Sequence, residues 1–184
     1  MIPQRKPRVV AIAGSTRQNS VNHSLIKALA DLAADRLDMI VYEGIGSLPS
    51  FNPDHDGEKV DASVAEFRQL LRTANGLLIC TPEYARGVPG SLKNAIDWTV
   101  STAEFPHKPT MLITASTDGT YGHRALMETL KALEAKNIEN LQLVIQHAKT
   151  KISADHTITD EGTLSAVEEL LARFVQTIND HKIE

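Results

Sequence analysis

Five times along this chain, a short aliphatic and β-branched run gives way to a longer segment with apolar residues at helical spacing. The runs are "RVVAIAG" (8–14), "DMIVYEG" (38–44), "NGLLIC" (75–80), "KPTMLITAS" (108–116) and "LQLVIQH" (141–147). Runs of this length bounded by turn residues read as buried strands. The segments after them, 21–37, 62–74, 89–101, 122–137 and 163–181, read as helices; in the first, Val21, Leu25, Leu29 and Leu32 make a stripe that Ile26 and Ala33 widen. Strands separated by helical crossovers imply a largely parallel sheet covered on both faces. The expectation is an α/β fold, one three-layer α/β/α domain over residues 1–184, with no Gly/Ser-rich linker, repeat or low-complexity tract.

Composition narrows the function classes. A hydrophobic share of 42% supports a sizeable core, and a net charge of −4 leaves no basic surplus for general binding to a nucleic-acid backbone. Cys80 is the single cysteine, so neither an intramolecular disulfide nor a cysteine metal cluster is expected. The seven histidines form no H-x-x-x-H or H-E-x-x-H pattern, and no metal site is expected. "MIPQRKPRVV" lacks the apolar core of a leader peptide, and no run approaches the ~20 apolar residues of a membrane span. The reading is a cytoplasmic protein with no membrane partner.

In parallel sheets, binding concentrates at the carboxyl ends of the strands near a switch point in strand order. That rule directs attention to residues 14–22, 43–60, 81–90 and 115–123. "GSTRQNSVN" (14–22) offers hydroxyls, the Arg17 fork and a helix N-terminus, which suits a phosphate; the same residues also suit a plain helix cap. It has neither Walker A nor dinucleotide glycine spacing. "TPEYARGVPGSLKNAIDW" (81–98) holds Glu83 and Tyr84 beside Pro82, with Gly87 and Gly90 permitting close approach by a planar ligand. Trp98 reads as a core residue, Lys93 and Asp97 as a surface pair, and Cys80 as a small buried hydrophobe. "ASTDGTYGHRA" (115–125) is either a hydrogen-bonding rim or an ordinary glycine-rich loop. "IGSLPSFNPDHDGEKVD" (45–61) is longer than compact domains use without a functional reason.

Taken together, "GSTRQNSVN" after the first strand and "PEYARGVPGSLKNAIDW" after the third resemble the NADPH-dependent FMN reductase family, whose patterns are G-S-x-R-x-x-S-x-N and P-E-Y…P-G…L-K-N-A-I-D-W. "LPSFNPD" (48–54) is similar to a further family segment, and the match extends over most of the chain. The resemblance implies a flavodoxin-like fold with a five-stranded parallel sheet and noncovalent FMN, reduced by NADPH or NADH. It implies electron transfer onward to a quinone, a free flavin or another small oxidant, in a homodimer or homotetramer. Carried over by position, Ser15, Arg17, Ser20, Val21 and Asn22 would hold the phosphate and ribityl groups. Pro82, Glu83 and Tyr84 would line the ring, and Ser116, Thr117 and Gly119 would close the opposite side. No side-chain acid or base is expected to be catalytic, because the flavin carries the chemistry. Many members have Asn directly after the Tyr where this chain has Ala85, followed by Arg86; Arg86 is left to a nicotinamide phosphate, an acidic acceptor or solvent. The competing class is a non-catalytic flavodoxin-type electron carrier or redox-sensing flavoprotein; a carrier would favour a more acidic docking surface than −4 supplies.

Overall fold

All five apolar runs form strands and all five amphipathic segments form helices. The computed structural model describes residues 5–17, 19–57 and 59–181; the start of the N-terminal stretch read against a leader, Gln18 of the first loop and Glu58 of the long connection lie outside it. The order is β1 (Arg8–Ala13), α1 (Val21–Leu32), β2 (Asp38–Tyr42), α2 (Ala62–Arg72), β3 (Gly76–Thr81), α3 (Gly90–Asp97), β4 (Thr110–Ala115), α4 (Thr120–Ala132), β5 (Gln142–Ile145) and α5 (Glu161–His181). The strands form one sheet in the order β2-β1-β3-β4-β5, with every pairing parallel. This is the flavodoxin-like order. The chain leaves β1 toward β2 and returns to β3 on the other side, so strand order reverses between β1 and β3. At that reversal the following loops diverge and open a crevice above the carboxyl ends.

The pleat divides the core in two. Val9, Ala11 and Ala13 face Leu25 and Leu29 of α1 and Val167, Leu171 and Phe174 of α5. Val10 and Ile12 face Phe67 of α2, Leu92 of α3 and Leu126 of α4. Each of these large apolar side chains stabilises the fold by about 1.5–3 kcal/mol through burial. Strands β3 and β4 are buried along their whole length, whereas the edge strands β2 and β5 are only partly covered. That asymmetry is why the central runs read most clearly as apolar.

Helix ends depart from the sequence expectation where backbone geometry intervenes. Helix α1 stops at Leu32, not Leu37; Ala33 is its C-cap, and Arg36 beyond it folds back to donate to the Leu32 carbonyl at 2.8 Å. Helix α4 starts two residues early and stops at Ala132, and Glu134 and Asn137 beyond it adopt left-handed backbone (φ 57° and 59°).

The long connection after β2 holds two short helical turns, Gly44–Gly46 and Pro53–His55, and is strapped to α3. Trp98 is buried as expected, with Nε1–H donating to the Pro49 carbonyl at 2.8 Å and its ring edge-on to Phe51. Asn94 donates to the same carbonyl at 2.9 Å and accepts the Phe51 N–H at 2.7 Å. Farther along, buried Arg68 of α2 donates to Asp56 at 2.7 Å and to the Trp98 carbonyl at 2.6 Å. Burial pushes the Asp56 carboxyl up, but the Ser101 hydroxyl and the Arg68 guanidinium outweigh it and hold it below the usual carboxylate value. Lys93 and Asp97 form the expected surface pair at 2.5 Å.

Candidate active site

A cavity of about 900 Å³ opens at the carboxyl ends of the strands, beside the β1/β3 reversal. Nine of the predicted site residues line it: Arg17, Ser20, Val21 and Asn22 from the first loop and α1, Pro82, Glu83 and Tyr84 after β3, and Ser116 and Thr117 after β4. Two do not. Ser15 is buried beneath the first loop, where its Oγ accepts the Arg17 N–H at 3.3 Å. Gly119 is the left-handed N-cap of α4 (φ 95°), a backbone state that a side chain would strain. Both residues shape the loops from behind.

The first loop closes on itself. Ser20 caps α1, its Oγ accepting the Asn22 N–H at 3.2 Å, so the helix-cap reading is realised. Asn22 is buried and reaches across to donate to the Ala115 carbonyl at 3.1 Å, tying this loop to the end of β4. Its Oδ1 is buried without a hydrogen-bond partner. His23 Nδ1 meets the Arg17 carbonyl at 3.1 Å, leaving the exposed Arg17 side chain outside the loop's own bonding.

The second loop is braced by the third. The Glu83 N–H donates to Ser116 Oγ at 3.2 Å, and Glu83 Oε2 accepts the Gly122 N–H at 2.7 Å. The carboxylate therefore caps the first turn of α4, and Glu83 lines the cavity as a bracket. Tyr84 and Gly87 exchange both backbone hydrogen bonds at 2.9 Å around Ala85 and Arg86, both left-handed (φ 49° and 60°). This is a type I′ turn formed without the usual Asn or Gly. It seats on Gly122, where a Cβ would stand 2.7 Å from the Gly87 carbonyl oxygen. Arg86 lies over the Tyr121 ring, 4.6 Å from its centroid, and is not a lining residue. A Cβ at Gly90 would meet open space, and neither Gly87 nor Gly90 is among the lining residues. No described residue of the connection over 43–60 lines the cavity; its middle is held against α3 and Trp98 instead.

Sequence reasoning missed the fourth wall. Lys27 of α1 and His147, Lys149, Ile152 and His156 after β5 line the same cavity. The carboxyl-end rule, extended to β5, is the signal that finds the last four. His147 and His156 are left-handed (φ 52° and 68°), and His156 Nδ1 is buried without a partner. Thus both buried side-chain polar atoms lacking partners among the described residues belong to this lining. The lining carries Arg17, Lys27 and Lys149 against the single carboxylate of Glu83, which is already engaged. An acidic chain has gathered a basic cavity, and with the α1 N-terminus this favours an anion.

Cys80, at the end of β3, is fully buried, and burial pushes its thiol up, so it is a packing residue. His123 lies beneath the third loop, with Nδ1 2.9 Å from Thr114 Oγ1 and Nε2 2.5 Å from Gln142 Oε1. Burial lowers its pKa below the ordinary histidine value, against the opposing Gln142 bond.

The sequence profile of the NADPH-dependent FMN reductase family matches residues 7–150. A 2-hydroxy-1,4-benzoquinone reductase of Burkholderia sp is 30% identical over 183 residues, covering 96% of this chain and 98% of its own. A quinone reductase of Escherichia coli K12 is 30% identical over 187 residues, covering 97% of this chain and 98% of its own. Among solved structures, FerB, a flavoenzyme NAD(P)H:(acceptor) oxidoreductase from Paracoccus denitrificans, superposes with a TM-score of 0.78 at 28% identity, covering 95% of this chain and 98% of its own.

Proposed function

The chain belongs to the NADPH-dependent FMN reductase family, and from that premise we propose that it is an NAD(P)H-dependent oxidoreductase with noncovalent FMN. Its acceptor is a quinone, a free flavin or a similar small oxidant. The observation that carries this reading is the basic cavity at the β1/β3 reversal, lined by both family signatures.

The residues present fit the group. Arg17 and the first turn of α1 suit its phosphate. The unpartnered Oδ1 of Asn22 calls for a donor, and a ribityl hydroxyl is one. Pro82 and Tyr84 supply one wall for the ring, and Ser116 with Thr117 the other. When bound, the flavin supplies the redox chemistry, taking a hydride equivalent from a nicotinamide and passing electrons to an acceptor. The chain's own part is to hold and orient. Asn22 fixes the distance between the first and third loops, Glu83 and Ser116 lock the second against the third, and no side-chain acid or base is assigned a proton transfer.

The same proposal includes one FMN-binding domain over the whole chain, a cytoplasmic location, and a homodimer or homotetramer. What supports assembly is the exposure of Tyr84 (47%) and Tyr121 (46%) beside the opening; no described helix is long and apolar enough to cross a membrane. Light scattering of the purified protein checks the assembly. Titration with FMN, followed by quenching of flavin fluorescence, tests the function at its base: saturable binding at one flavin per chain is expected, and no binding would overturn it.

A further inference from the structure

The cavity holds more positive charge than one phosphate monoester needs. Arg17 and the α1 N-terminus answer for the flavin phosphate proposed above. Lys27 and Lys149 remain, on the same cavity but from different elements. Lys27 lies on α1 about 10 Å along the axis from the Ser20 cap, at ~1.5 Å per residue. Lys149 belongs to the short helical turn Ala148–Thr150 that follows β5. Neither lysine has an ion-pair partner among the described residues. In the same lining, His156 keeps a buried ring nitrogen without a partner, a polar group that costs stability unless something pairs with it. The volume also matters: at about 900 Å³ the cavity stands near the upper end of small-ligand sites, which run from roughly 300 to 1,000 Å³.

We infer that Lys27 and Lys149 form a second anion subsite, next to the flavin-phosphate cradle, that holds a phosphate group of the nicotinamide dinucleotide donor. The inference rests on the reductase reading. An uncharged quinone gains nothing from two unpaired ammonium groups, whereas a dinucleotide carries phosphates well away from its reacting ring. Two phosphates could occupy the subsite: the pyrophosphate common to NADH and NADPH, or the 2′-phosphate of NADPH alone.

The test uses Lys27→Gln, Lys149→Gln and the double variant, each loaded with FMN. Three quantities are read: KM for NADPH and for NADH, FMN affinity by fluorescence, and binding of ADP and of adenosine 2′,5′-bisphosphate by calorimetry. The double variant is expected to raise donor KM about tenfold and to weaken probe binding by about as much, with FMN affinity held within about twofold. Equal rises for both donors assign the pyrophosphate; a rise for NADPH alone assigns the 2′-phosphate. Unchanged donor KM overturns the inference, as does loss of FMN in place of donor affinity, which would give both lysines to the flavin phosphate. If the parent protein takes up no FMN, the reductase reading fails and calorimetry still decides: probe binding present in the parent and lost in the double variant sustains the subsite, while equal or absent binding overturns it.

Discussion

Arg17 enters the cavity from a loop whose shape does not depend on its side chain. Its N–H is held by Ser15 Oγ and its carbonyl by the His23 ring, and both contacts survive truncation. Arg17→Ala should therefore weaken FMN binding about tenfold, the value of one charge-assisted hydrogen bond, with little change in the urea midpoint. Equal flavin affinity in variant and parent would remove Arg17 from the phosphate site. His123 makes the opposite kind of prediction. Its depressed pKa means that the unfolded chain binds a proton more readily than the folded one, so acidification favours unfolding. Its contribution is complete above pH 6.5 and is lost as pH falls from there through the lower folded-state value. Chemical denaturation from pH 8 to 5 should show a falling midpoint, with a shallower fall in His123→Gln. Asp56, with its lowered carboxyl, loses stability in the same direction but further into acid, so an unchanged slope in the variant would clear His123.

Among the elements, α3 does two jobs with one short sequence. Its start follows the Tyr84–Gly87 turn, while Asn94 and, just past its end, Trp98 grip the connection after β2. The clamp gives "LKNAIDW" a structural reason that its residue types alone did not reveal. Asn94→Ala breaks two hydrogen bonds and should cost about 2 kcal/mol, visible as faster amide exchange at Phe51. FMN affinity should hold, because no described residue of the connection lines the cavity. Gly122→Ala should do the reverse. A methyl against the Gly87 carbonyl displaces the turn carrying Tyr84, and flavin affinity should fall more than global stability. Titrating both variants with FMN and urea separates the two outcomes.

For the molecule as a whole, strand order decides where chemistry can occur. The parallel three-layer arrangement was legible because β1, β3 and β4 are buried on both faces and so read as unbroken apolar runs. Helix ends were less legible, since neither the side-chain bond from Arg36 to the Leu32 carbonyl nor the left-handed backbone of Glu134 is recorded in periodicity. The walls after β1 and β3 followed from the two signatures, but the fourth wall did not. Lys27 looks like any solvated helix residue, and 147–156 matches neither signature; only tertiary placement unites them. The family resemblance pointed to Glu83, which does line the cavity, yet its bond to the α4 amide is visible only in three dimensions. The central claim is that this cavity holds a flavin that a nicotinamide reduces. Anaerobic addition of NADPH, then separately NADH, to the FMN-bound protein tests it directly. The account predicts loss of the visible flavin absorbance with at least one donor, and its return when a benzoquinone is added. A bound flavin that stays oxidised with both donors would contradict it.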